Sequence, residues 1–178
     1  MKRRHLLAAM AAPAMLTGCS TPNVETYKAE KPELDLRRYF QGKVDAWGLF
    51  TDRSGQVVKR FVVEMDCSWQ GQEGVLDERF TYSDGTLQRR IWRLQDQGQG
   101  HYTGRADDVI GQAQGQSSGN AFNWHYTLAL PVDGRIWHVQ FDDWMYLMDP
   151  QTMINKARMS KWGIHLGDVT LAFTRRTA

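Results

Sequence analysis

Long hydrophobic runs are missing from this chain of 178 residues. The longest apolar stretch, Leu6 to Leu16, has 11 residues and is interrupted by Pro13. A helix across a bilayer core of ~30 Å needs about 20, so no spanning helix is expected. Cysteine is scarce: Cys19 and Cys67 are the two, which excludes a disulfide framework. Charge of one sign is also lacking. The formal net charge is +2, and without Lys2, Arg3 and Arg4 the 22 basic residues become 19 against 20 acidic. A nucleic-acid binder needs a basic footprint that this balance does not supply. Five prolines argue against a rigid linker, while sixteen glycines favour tight turns. What remains is 42% hydrophobic and 24% charged, the composition of one globular domain rather than a disordered chain.

The first residues read as an export signal. Lys2-Arg3-Arg4-His5 is a positive start, and the 11-residue apolar run follows. The run ends in Leu16-Thr17-Gly18-Cys19, which matches the lipobox of bacterial lipoproteins. Residues 1–18 are therefore expected to be a signal peptide, and the Cys19 thiol the lipid attachment site. Each buried CH₂ contributes ~0.8 kcal/mol, and the several acyl chains of a mature lipoprotein would hold the protein at a membrane. The next residue is Ser20, not an Asp of the kind that retains lipoproteins in the inner membrane. The expected location is the periplasmic face of the outer membrane. Residues 19–33 are polar, with two prolines, and read as a lipidated tether; 34–178 read as a single domain.

With Cys19 consumed by lipid, Cys67 has no disulfide partner in its own chain. At period two, Phe61, Val63, Met65, Cys67 and Trp69 share one face, so a buried, unreactive thiol is expected.

The domain alternates at period two almost throughout. Apart from one short helix over 33–40, strands are expected over 43–50, 56–69, 75–82, 86–94, 101–106, 122–130, 135–148, 153–159 and 169–174. Ser54-Gly55, Gln70-Gly71, Asp84-Gly85, Gly98 to Gly100, Asp133-Gly134 and Asp149-Pro150 punctuate them. Eight or nine short strands joined by tight turns indicate an all-β fold, an antiparallel up-and-down barrel or a sandwich.

Two hairpins can be read in more detail. A three-residue loop Ser83-Asp84-Gly85 sets Leu76 opposite Trp92 and Glu78 opposite Arg90, matching apolar to apolar and acid to base. Glu78 and Arg90 then share a face with Leu76, Phe80 and Trp92. The pair is either a solvated cross-strand ion pair or an interior pair lining a cavity. In the second hairpin Trp137, Val139, Phe141 and Asp143 fall on one face, with His138, Gln140 and Asp142 on the other, provided that no bulge shifts the parity. Met145, Met148, Met153 and Met159 cluster there, adaptable packing for a core or for lipid chains.

These strands carry Phe40-Gln41-Gly42, Ala46-Trp47-Gly48, Tyr82-Ser83-Asp84-Gly85 and Arg90-Ile91-Trp92. Further along come Tyr102 to Gly111, Gly119-Asn120-Ala121, Phe141 to Met145 and Met159 to Gly163. With these motifs the chain resembles, from Phe40 to Phe173, a family of bacterial lipoproteins known only as a domain of unknown function. The resemblance implies a lipocalin-like barrel, whose early Gly-then-Trp is similar to Gly42 and Trp47, and it implies no catalytic residues.

Catalytic motifs are weak. Gly115-Gln116-Ser117-Ser118-Gly119 has the G-x-S-x-G form, but no strand–elbow–helix context surrounds it, and a flexible loop is expected. Asp107-Asp108 and Asp142-Asp143 each offer one carboxylate per strand face, which suits neither a metal nor an acid–base pair. Asp107-Asp108 is expected to bond structurally at a bend. His101, His125, His138 and His165 have no metal-ligand spacing. No enzyme, metal or cofactor is expected. The leading reading is a membrane-anchored barrel holding a hydrophobic or amphipathic molecule. Its candidate contacts are Glu78, Arg90 and Asp142, with Trp92 and Trp144 as walls. Arg90, partnered by Glu78 when empty, would take an acidic head group. The alternative is a filled barrel acting as an interaction module in the envelope.

Overall fold

The computed structural model describes residues 22–132 and 134–176. The signal peptide and Cys19 lie outside the described residues. Ten antiparallel strands close into one barrel: β1 (Gly42–Asp52), β2 (Val57–Gln70), β3 (Glu73–Tyr82), β4 (Leu87–Gly98), β5 (His101–Arg105), β6 (Ala113–Ser118), β7 (Ala121–Val132), β8 (Arg135–Leu147), β9 (Thr152–Lys161) and β10 (Ile164–Arg175). Each strand pairs with its neighbours in sequence, and β1 pairs with β10 to seal the wall. The up-and-down meander was expected, with one strand too few. The missing one is β6, in the stretch read as a flexible loop.

β6 is built from Gly, Gln and Ser, which have little intrinsic tendency to form strands. Packing overrides that tendency. A Cβ on Gly115 would collide with Trp124 and Phe122, and one on Gly104 with Leu94 and Trp124. The two glycines make the space in which Trp124 lies, 4% exposed. The G-x-S-x-G segment is thus strand and turn, with no nucleophile elbow.

The β3–β4 hairpin has the expected register: Leu76 faces Trp92 and Glu78 faces Arg90. Tyr82 N–H donates to the Thr86 carbonyl at 2.9 Å across the Ser83-Asp84-Gly85 loop. Gly85 takes φ +82°, the left-handed conformation that such a turn requires.

One end of the barrel is plugged. Asp35 caps a short helix, α1 (Leu36–Tyr39), by accepting from the N–H groups of Arg37 and Arg38. Leu34, Leu36, Tyr39 and Phe40 are buried with Val44, Cys67, Met153 and Phe173. Tyr39 Oη donates to the Gln151 carbonyl at 2.9 Å. Cys67 is buried as expected, and burial pushes its thiol up to about 12.

The expected tether over 19–33 does not hang free where it is described. Val24–Tyr27 forms a 3₁₀ turn laid on the outside of the barrel at the plugged end. Tyr27 packs on Trp144 and Tyr146, and Leu34 N–H donates to the Gly119 carbonyl at 2.8 Å. A polar composition concealed two anchoring side chains, Val24 and Tyr27.

The other end is open. Around it stand exposed apolar residues, among them Leu87, Ile136, Ile164 and Trp162, the last 84% exposed. Among the described residues no helix is long and apolar enough to cross a membrane.

Candidate functional site

Inside the barrel is a cavity of about 520 Å³, roofed by Leu36 and Phe40 at the plugged end. Alternating positions of β7 supply one wall: Phe122, Trp124, Tyr126, Leu128 and Leu130 all face inward. Val169, Leu171 and Phe173 of β10 do the same opposite, and Val63 and Met65 of β2 join them. Of the methionine cluster, Met145 and Met159 line the cavity, Met153 is wholly buried and Met148 is exposed.

The polar groups are few and concentrated. Glu78, Arg90 and Trp92, all singled out from sequence, line the cavity together with Tyr82, Gln88, Tyr126, Asp143 and Asn155. The interior alternative for the Glu78–Arg90 pair is thus the observed one. Their geometry differs from expectation in one respect. Glu78 Oε2 lies 3.9 Å from Arg90 Nη1, while Asp108 holds the same guanidinium far more closely. Arg90 Nε donates to both Asp108 oxygens at 3.1 and 2.9 Å, and Nη2 donates to Oδ2 at 2.7 Å. Asp108, not Glu78, is the partner of Arg90. Burial opposes the Arg90 charge, but the bonds from Asp108 and the charge of Glu78 hold its proton more firmly than usual.

The Asp108 contact follows from the short β5 and β6. Both end well before their neighbours β4 and β7, leaving the wall near the open end to residues 106–112. That loop is fastened to β7: Ile110 N–H donates to Thr127 and Ala129 N–H to Asp108, both at 2.8 Å. Val109 bridges Leu128. Asp108 then reaches across to β4 and closes the gap through Arg90. The expected structural role at a bend is met, with the side chain on a guanidinium.

Asp142 and Trp144 do not line the cavity. No bulge interrupts β8 against β7, so the period-two parity holds and both point outward. Asp142 accepts from Asn123 Nδ2 at 2.7 Å and lies 3.4 Å from His125 Nδ1 on the outer face. Trp144 is buried against Val24, Ala121 and Tyr27, beneath the N-terminal turn rather than around a ligand. The inward carboxyl of that pair is Asp143, 6% exposed. Its Oδ2 accepts from Tyr126 Oη at 3.0 Å, and its Oδ1 has no hydrogen-bond partner among the described residues.

Tyr82, Gln88, Tyr126, Asp143 and Asn155 line the cavity without having been expected there, and Tyr126 and Asp143 are the two that bond each other. Both were visible in the alternation, Tyr126 between Trp124 and Leu128, Asp143 beside Phe141. Asp108 had no such signal, since a loop carries no period.

Burial dominates the electrostatics. It pushes Glu78 up to about 7, with Arg90 pulling against it and Asp108 and Asp143 adding to it. It also pushes Asp143 up to about 7, against the Tyr126 hydrogen bond. Tyr126 is raised well above the usual phenol range, first by burial and then by Asp143. No group of three or more His, Cys, Asp or Glu that could hold a metal occurs among the described residues. The site is an apolar chamber with a small acidic strip that can accept hydrogen bonds.

The barrel is similar to several solved structures. The S-type phycobiliprotein lyase CPES from Guillardia theta is 7% identical, with 88% of this chain and 99% of that chain covered and a TM-score of 0.61. A protein with unknown function from the DUF3598 family of Nostoc punctiforme is 12% identical at a TM-score of 0.52. There the match covers 83% of this chain and 51% of that chain. At such identities the likeness concerns the fold. No curated protein is similar in sequence. Residues 13–175 match the model of a family described as protein of unknown function, DUF3833, and the chain belongs to that family.

Proposed function

We propose that this protein is a carrier that holds one small hydrophobic or amphipathic molecule in its barrel and performs no chemical step on it. The observation that carries the reading is the enclosed interior, about 520 Å³, plugged by α1 at one end and open at the other. Ligand sites span ~300–1,000 Å³ and combine apolar walls with a few placed polar groups. A filled barrel acting only through its surface would need side chains in that space, and the cavity weighs against it. The likeness to the phycobiliprotein lyase bears on the fold and supplies no reaction. Cys67, raised and buried away from the cavity, offers no nucleophile. From the lipobox we further propose that Cys19 is acylated and holds the protein at the periplasmic face of the outer membrane.

The test is native mass spectrometry of the full chain, before and after organic extraction, with tryptophan-quenching titration of the extracted protein. An extractable adduct, and saturable quenching by an apolar probe such as dodecanol, are expected. Trp92 and Trp124 line the chamber and would report occupancy. Absence of both would overturn the carrier reading.

A further inference from the structure

Charge around the chamber is out of balance. Lys59 also lines it, but its ammonium is paired with Asp84 at 3.0 Å. That leaves one guanidinium, Arg90, among three carboxyls from three parts of the chain: Glu78 on β3, Asp108 on the 106–112 loop and Asp143 on β8. Asp108 already takes two of the guanidinium nitrogens. Glu78 stands 3.9 Å off, near enough to feel the cation and too far to bond it. Asp143 is nine-tenths buried, lines the cavity and has an oxygen with no donor. A buried acceptor without a donor costs about 1–3 kcal/mol, so a donor brought by a ligand recovers that loss.

An acidic head group would meet a cation already neutralised and two further carboxyls that it would keep from ionising. A basic head group meets the reverse: an acceptor without a donor at Asp143 Oδ1, and two buried carboxyls that ionise readily beside a cation. Resting on the carrier reading above, we propose that the chamber selects a hydrophobic amine. Its N–H groups donate to Asp143 Oδ1 and toward Glu78, and its apolar body lies along Trp92, Phe141 and the wall of β10. This reverses the acidic head group expected from Arg90 alone.

The titration of the two carboxyls fits that assignment. Burial brings both to about 7, so each is poised to ionise when a cation arrives. The other groups that bear on them are Arg90, Asp108 and Asp77 around Glu78, and Tyr126, Arg90 and Asp142 around Asp143. Among these the guanidinium is the one cation, and Asp108 occupies it.

The experiment titrates the full chain with dodecylamine, dodecanol and dodecanoic acid, below their micelle concentrations, followed by tryptophan fluorescence at neutral pH. The chain length is the same and the head group varies. The amine should bind about tenfold or more tightly than the acid, with the alcohol between them, as a charge-assisted hydrogen bond implies. Glu78→Gln with Asp143→Asn should remove the advantage of the amine over the alcohol. Circular dichroism serves as the check that the variant is folded. Asp143→Asn alone, which changes no volume, should remove part of the advantage if the double variant does not fold. Acid binding as tight as amine binding would overturn the inference, as would an amine advantage that survives both replacements. If the alcohol binds with no preference for the amine, the carrier reading stands and the head-group assignment falls. If none of the three binds, both fall.

Discussion

Glu78 and Asp143 keep protons in the folded barrel that the unfolded chain would release. Their ordinary values are 4.5 and 3.8, and burial brings both to about 7. Between those limits the native state binds more protons than the unfolded state, so stability falls as pH rises. The loss begins above pH 3.8 for Asp143 and above pH 4.5 for Glu78, and runs through about pH 7 for both. Surface carboxylates work the other way. Hydrogen bonds from Lys43 and Arg79 hold Asp66 at about 2, and its contribution disappears only in strong acid. The expected outcome is a Tm that drops by several degrees between about pH 5 and about pH 8, read by circular dichroism. Glu78→Gln with Asp143→Asn should flatten that slope. An unchanged slope in the double variant would place the titrating groups elsewhere. Most of this strip was legible as alternation: Glu78, Arg90 and Trp92 share a face with Leu76, and Asp143 shares one with Phe141. Asp142 and Trp144 would have reached the interior only if a bulge shifted that parity, and β8 has none against β7. Trp144 has another use, as the seat for Tyr27.

At the scale of elements, tight turns and alternation identified nine of the ten strands. β6 escaped because its signal is steric rather than hydrophobic. Gly104 and Gly115 are there to receive Trp124, and a glycine in one strand does not announce the ring that fills its place from another. The 3₁₀ turn escaped for a related reason: two side chains, Val24 and Tyr27, anchor a segment whose average composition is polar. Gly119 shows how tight that contact is. It takes φ +56°, and the Tyr27 carbonyl occupies the position of its missing Cβ. Gly119→Ala is expected to lift the turn from the barrel at a cost of about 1–3 kcal/mol. Exposure of Trp144 would red-shift the tryptophan emission, and trypsin would cut more readily at Lys28. Emission and cleavage like those of the wild type would mean that the turn holds without this contact.

For the whole molecule, closure of the sheet was readable from the run of hairpins, whereas the chamber was not. Its volume depends on how ten inward faces meet, and period two says which side chains point inward without saying how much space they leave. Acylation of Cys19 supplies the membrane attachment on the proposed reading, so Cys19→Ala should shift the protein from the membrane fraction to the soluble fraction with its fold unchanged. Retention in the membrane after a high-salt wash would count against the anchor. The docked N-terminal turn adds a constraint of direction. It fastens the chain at the plugged end of the barrel, at Ala121 and Trp144. Only three residues separate Cys19 from Asn23, four Cα steps with a reach of about 14 Å at full extension. Strands of this length, tilted as barrel strands are, make a wall roughly 30 Å tall. A lipid on Cys19 would therefore hold the plugged end toward its own leaflet and turn the mouth, with Trp162 at its edge, outward. Cargo would then be taken up and handed on across the aqueous gap, on the side facing away from the membrane that carries the protein.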